Sequence, residues 1–209
     1  MNQAGALALR PLVRRAILLE AAIIAYNLLE GVLSVVAGLL AGSVALVGFG
    51  LASAIEVSAS VVVLIHLWKN SQEEGSPWER RVAVFVGLTL MALAVYVTGR
   101  AFYDLTSGSR PGESYLGIAI AAASVVIMPT VSRLQHSLAT QINSLALEAD
   151  SRETLVCSGL SAALLIGLGA NALFGWWWAD PVAALVMVVF IGREGWEVFR
   201  KKELICFDG

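Results

Sequence analysis

Six long apolar runs dominate the chain, at 16–41, 44–68, 82–105, 115–138, 146–173 and 181–199. Each approaches or exceeds the roughly 20 residues that carry a helix across a bilayer, and all are far longer than a membrane strand. A helix satisfies its backbone hydrogen bonds within its own segment, which lipid requires. The expected fold is therefore an all-α integral membrane protein, a bundle of six transmembrane helices. Composition agrees: 58% of the 209 residues are hydrophobic and 14% are charged, too apolar for a soluble domain of this size to bury. The first run is too long for a signal-peptide core of ~7–15 residues and ends in no cleavage pattern, so it reads as a retained helix.

The separators are short. Ala41-Gly42-Ser43 is a tight turn, 69–81 is polar with a proline, 106–114 is rich in Gly, Pro and Ser, 139–145 is a polar connection, and 174–180 carries three tryptophans and ends in Asp-Pro. An even number of spans puts both termini on one side. That side holds Arg10, Arg14, Arg15, Lys69, Arg80, Arg81, Arg133, Arg193, Arg200, Lys201 and Lys202, against Arg100 and Arg110 opposite. The bias makes both termini cytoplasmic. The expected organisation is a cytoplasmic N-terminal segment at 1–15, the membrane domain at 16–199 and a short cytoplasmic tail at 200–209, in the inner (plasma) membrane of a prokaryote. A net charge of −2 excludes a nucleic-acid footprint. Cys157 and Cys206 lie too far apart in kind and position to suggest a disulfide framework.

Function must then come from what is polar inside the membrane, where ionisable side chains are costly. Glu20, Asn27 and Glu30 lie in the first run and Glu56 in the second. The fifth carries Glu148, Asp150, Arg152, Glu153 and Cys157 within ten residues. Several have plain structural readings. Arg152 pairs with Glu148 at i−4, Glu20 is interfacial, Arg100 and Asp104 form a surface ion pair, and His66 and His136 are solvated helix ends. Asn27 and Glu30 either line an entrance path or hold helices together. Asp150 is a ligand, a group orienting a ligand, or an interhelical hydrogen bond, with the second preferred. Gly31, Ser34 and Gly38 predict close helix approach, and Pro129 a kink.

Self-comparison singles out four positions. Ser43-Val-Ala-Leu46 opens the second run and Ser144-Leu-Ala-Leu147 the fifth, a slide of 101 residues that also superposes Ser60 on Ser161. In this register Ala52 falls on Glu153 and Glu56 on Cys157. Each pair has i,i+4 spacing, one turn apart on one helix face. If the two faces meet, Glu56, Glu153 and Cys157 offer three metal-ligating groups.

These residues resemble the cation diffusion facilitator family. Tyr26-Asn27 through Gly38 and Ala41-Gly42-Ser43-Val44-Ala45-Leu46 are similar to its first two helices. Ala149-Asp150 with Glu153 and Cys157 stands in the place of its fifth-helix A-D-x-x-H-x-x-x-D motif, and Asp180-Pro181 resembles the opening of its sixth. The resemblance implies efflux of divalent transition-metal ions in exchange for protons, by a homodimer. The chain departs from the pattern at Ala52, where an acid is usual, at Glu153 and Cys157, where His and Asp are usual, and in carrying no C-terminal metal-sensing domain. It looks like a short, membrane-only branch.

Carboxylates with one thiolate suit Zn²⁺ first, and Co²⁺, Fe²⁺ or Cd²⁺ after it; Mn²⁺ would need a more oxygen-rich site. Water, Ser53 or Asn27 would complete the coordination. Ligands must lose protons to bind metal, so metal and proton binding are linked, which supplies antiport directly. The expected partners are the transported ion, protons, lipid and a second copy of the chain, with no permanent cofactor. The sequence holds no HExxH, no GxSxG and no Ser/His/Asp set, so it does not read as an enzyme. Ala52 and the missing tail domain motivate the alternative of a non-transporting or regulatory metal-binding membrane subunit of the same family.

Overall fold

The structure, a computed structural model, describes the backbone at 3–69 and 77–206, with side chains over 10–68 and most of 84–196. The expected separator at 69–81 falls largely outside the described residues. Six α-helices are described: α1 (Gln3–Ala41), α2 (Val44–Lys69), α3 (Pro77–Ser107), α4 (Tyr115–Ile142), α5 (Leu145–Phe174) and α6 (Ala179–Cys206). Five contain stretches long and apolar enough to cross a membrane: Arg10–Ala41, Val44–Trp68, Val84–Ser107, Tyr115–Ile142 and Leu145–Phe174. Every regular element among the described residues is a helix, and the protein is an integral membrane protein. α1 extends back through most of the expected N-terminal segment. Its 39 residues span about 58 Å at 1.5 Å each, well beyond a ~30 Å hydrocarbon core.

Helix ends follow local chemistry. Ser43, Ser114 and Ser144 cap α2, α4 and α5, their hydroxyls accepting from the amides of Leu46, Gly117 and Leu147 at 3.0, 3.2 and 3.3 Å. α5 stops at Gly175, whose φ of 65° suits a residue without Cβ. The polar connection expected at 139–145 shrinks to Asn143 and Ser144. Thr140 and Gln141 stay helical, their side chains bonding back to the carbonyls of His136 and Ser137, and Asn143 supplies the left-handed cap at φ 53°.

α2 and α5 form the centre of the bundle. α2 packs against α1, α3, α5 and α6; α5 packs against α4, α6 and α2; and α1 also meets α4. The α1–α2 contact is close because glycine faces backbone on both helices. A Cβ at Gly50 would stand 2.7 Å from the Gly31 carbonyl oxygen, and one at Gly38 would stand 2.8 Å from the Val47 nitrogen. Phe49, Leu46, Val97, Leu164, Met187 and Ile191 fill the core. Leu39, Leu40, Val95, Ile166 and Leu173 point outward, as a lipid-facing surface would.

One end of the bundle is tied by polar contacts. The Gly112 amide donates to the Ala41 carbonyl at 2.7 Å, and Asn171 Nδ2 donates to the Pro111 carbonyl at 3.1 Å. The Asp180 carboxylate accepts from Ser43 Oγ at 2.5 Å and from the Val44 amide at 3.1 Å. Asp180, at the start of α6, thus caps the N-terminus of α2 from another helix, where a negative charge meets the positive dipole end. α2 and α6 begin at this end and α5 finishes there, so α2 and α5 run antiparallel. Trp176 and Trp178 stack here with centroids 5.3 Å apart, exposed in the manner expected of interfacial aromatics.

Candidate metal site

Antiparallel packing brings the two i,i+4 faces together near mid-helix. Glu56 and Cys157 are each the thirteenth residue of their helices, counted from Val44 and Leu145. The Cys157 thiol donates to Glu56 Oε2 at 2.9 Å. Both residues are buried, at 6% and 5% exposure. Ala52 and Glu153 line the same small cavity of about 10 Å³, walled by Leu90, Leu160 and Ile191. That is room for about one water-sized guest. All four positions of the 101-residue register therefore border one pocket. Ser161 donates to the Cys157 carbonyl at 2.9 Å, so the helix turn carrying the thiol is itself hydrogen-bonded. Among the described residues, no three His, Cys, Asp or Glu side chains stand close enough together to hold an ion. Glu56 and Cys157 bond each other, and Glu153 borders the space beside them.

A family model of the cation efflux transmembrane domain matches residues 21–204. The chain belongs to the cation efflux family. The family's members are membrane-embedded cation transporters rather than enzymes. Among curated relatives, the cation-efflux pump FieF of Shewanella oneidensis is 29% identical over 118 residues, 53% of this chain and 40% of that protein. The manganese efflux system protein MneS of Bacillus subtilis is 27% identical over 193 residues, 89% of this chain and 66% of the relative. The magnetosome protein MamB of Paramagnetospirillum magneticum is 29% identical over 182 residues, 84% and 60%. The chain spans 40–66% of the length of these relatives.

The other candidate residues, Glu30, Ser53, Asn27 and Asp150, do not line this cavity. Glu30 accepts from Ser53 at 3.2 Å and Tyr26 at 3.1 Å, and also from Ser124. Ser53 thus binds Glu30 and its own helix rather than lining the cavity. Asn27 is fully buried, with neither amide atom hydrogen-bonded, and does not line the cavity either. Asp150 accepts from Gln135 Nε2 and, at 3.4 Å, from Ser60. It joins helices rather than bordering the cavity.

Two structural readings are corrected. Glu20 is not interfacial: it is fully buried and accepts from Gln135 Nε2 at 2.9 Å, because α4 covers that face of α1. Asp104 pairs with Arg100 at 3.5 Å as expected, but its side chain is buried rather than at the surface. Arg152 pairs with Glu148 at 2.6 Å, as read. The residue missed is Gln135. It shares a buried face of α4 with Ser124 and Ser132, a spacing that does not by itself say which helix covers that face.

Proposed function

We propose that the chain carries a divalent transition-metal ion, Zn²⁺ foremost, out of the cell through the α2–α5 pocket in exchange for protons. Glu56, Glu153 and Cys157 are the ligands and Ala52 is the open fourth position. The observation that carries this reading is the Cys157–Glu56 hydrogen bond across α2 and α5. A thiol that donates to a carboxylate must give up that proton before its sulfur can ligate metal. Loading metal therefore releases a proton from the pocket, and reprotonating the pair expels metal. Two carboxylates with a thiolate suit Zn²⁺, Co²⁺, Fe²⁺ or Cd²⁺ over Mg²⁺, while the similarity to a manganese efflux system protein, MneS, adds Mn²⁺ to the candidate cargoes. Six spans with both ends on the Lys/Arg-rich cytoplasmic side, and a homodimer in the inner membrane, complete the proposal.

The test is Zn²⁺ uptake by proteoliposomes holding the purified protein under an imposed pH gradient, with Glu56→Gln beside wild type. The expected outcome is flux that dissipates the gradient and falls about tenfold or more in the variant, as loss of a metal-binding partner would dictate. One observation favours a second reading. Ala52, which lines the cavity, offers no donor, as in a subunit that binds metal without moving it. Saturable Zn²⁺ binding with no flux in the same liposomes would support that role instead.

A further inference from the structure

A second polar cluster lies outside the pocket. Glu20 of α1, Gln135 of α4 and Asp150 of α5 meet in the bundle, with Ser60 of α2 against Asp150. Glu20 and Gln135 are fully buried and Asp150 nearly so. Gln135 spends both hydrogens of its amide on the two carboxylates. Two acceptors in the cluster, Glu20 Oε2 and Gln135 Oε1, have no hydrogen-bond donor. Among the described residues no Lys, Arg or His pairs with either carboxylate. Buried polar atoms are almost always satisfied, and buried carboxylates are costly without a compensating positive charge. The two carboxylates also hydrogen-bond each other, so a cluster this rich in acceptors and poor in donors calls for a proton or a cation between them.

We infer that Glu20, Gln135 and Asp150 form a second cation site, made only of oxygen ligands and selective for a hard divalent ion of the Mn²⁺ or Mg²⁺ class. The Gln135 side chain is suited to serve both states. A half-turn of its terminal amide exchanges Nε2 for Oε1, so a clamp donating to two carboxylates becomes a third oxygen ligand beside them. The Ser60 hydroxyl adds a fourth oxygen. With no sulfur or imidazole, this set takes harder ions than the pocket holding Cys157. Ser60 is four residues from Glu56, and Asp150 is seven from Cys157. The cluster therefore sits about 6–10 Å along the bundle axis from the pocket, toward the end where α1 and α5 begin. That is the Lys/Arg-rich side, so the cluster is an intake station between cytoplasm and pocket.

This role presupposes the metal-carrying function proposed above, and the two are separable by experiment. The purified full chain in detergent is titrated with Mn²⁺ and followed by electron paramagnetic resonance, alongside Cd²⁺ as a probe of the thiol pocket. Wild type should bind Mn²⁺ at the cluster. Glu20→Gln and Gln135→Leu should each weaken that Mn²⁺ by about tenfold or more and leave Cd²⁺ binding unchanged. Gln135→Glu keeps an oxygen in place and should retain or tighten Mn²⁺, which a merely structural glutamine would not do. Elution volume and helical circular dichroism identify any variant that fails to fold, and Gln135→Glu then carries the test alone. Wild type without Mn²⁺ binding, Mn²⁺ binding indifferent to Glu20→Gln and Gln135→Leu, or Gln135→Glu losing Mn²⁺ would each overturn the second site. Glu56→Gln with unchanged Cd²⁺ affinity would instead overturn the pocket, and the cluster result would stand.

Discussion

At the scale of single residues, the pocket is defined as much by Ala52 as by the ligands proposed for it. Ala52 is buried and borders the cavity with Glu56, Glu153 and Cys157, so a side chain placed there points at the site rather than at lipid. Ala52→Asp should raise Zn²⁺ affinity by completing a four-donor set. An aspartate that faced packed helix would instead cost a few kcal/mol, about the penalty of an acid in a membrane interior. Zn²⁺ calorimetry read with thermal stability separates the two. Tighter binding at near-unchanged stability is expected, and lost stability without tighter binding would remove residue 52 from the site. These positions were legible in the sequence because Ser43 and Ser144 cap their helices alike. Counted from those caps, both Glu56 and Cys157 fall near mid-helix, where equal counts from opposite ends of antiparallel helices coincide. Gln135 and the burial of Glu20 were not legible. In a membrane helix the inward face is marked by small and hydroxylated residues rather than by apolar ones, so periodicity says little about which polar group is covered.

At the scale of elements, two contacts position α2 against its neighbours. The first is the glycine seam with α1. Gly50→Ala would push a methyl group onto the Gly31 backbone, where no side chain can swing away, and forcing the helices apart should cost about 1–3 kcal/mol. Thermal unfolding in detergent should show a clearly lowered midpoint, while Gly99→Ala, whose added Cβ would meet nothing within 4 Å, should leave it unchanged. The second is the Asp180 cap on α2. Asp180→Ala removes the partners of Ser43 Oγ and the Val44 amide and should cost about 1–2 kcal/mol, as loss of a helix cap does. Asp180→Asn keeps one acceptor and should fall between wild type and Ala. Equal stability for all three would show that the cap does not hold α2. The helix lengths and the small-residue stripe of α1 foretold this packing. The link from α6 to α2 was not foretold, since nothing local to Asp180 indicates which helix start it faces.

At the scale of the whole molecule, the bundle sets polar groups along its axis between walls of lipid-facing apolar side chains. The end tie through Asp180 and Asn171, the central thiol and carboxylate, and the Glu20–Gln135–Asp150 cluster occupy successive depths. Membership of the cation efflux family fits this layout, and the α2–α5 pocket is the proposed cargo site. The most direct test is Cd²⁺ titration of a Cys206→Ser protein, followed by the ultraviolet charge-transfer band of a thiolate bound to Cd²⁺. Cys157 is then the sole cysteine. A metal shared between α2 and α5 should give a band that saturates at about one Cd²⁺ per chain with proton release, and that weakens about tenfold or more in affinity with Glu56→Gln. A protein that shows no such band, or whose band is indifferent to Glu56→Gln, would contradict a metal shared between α2 and α5.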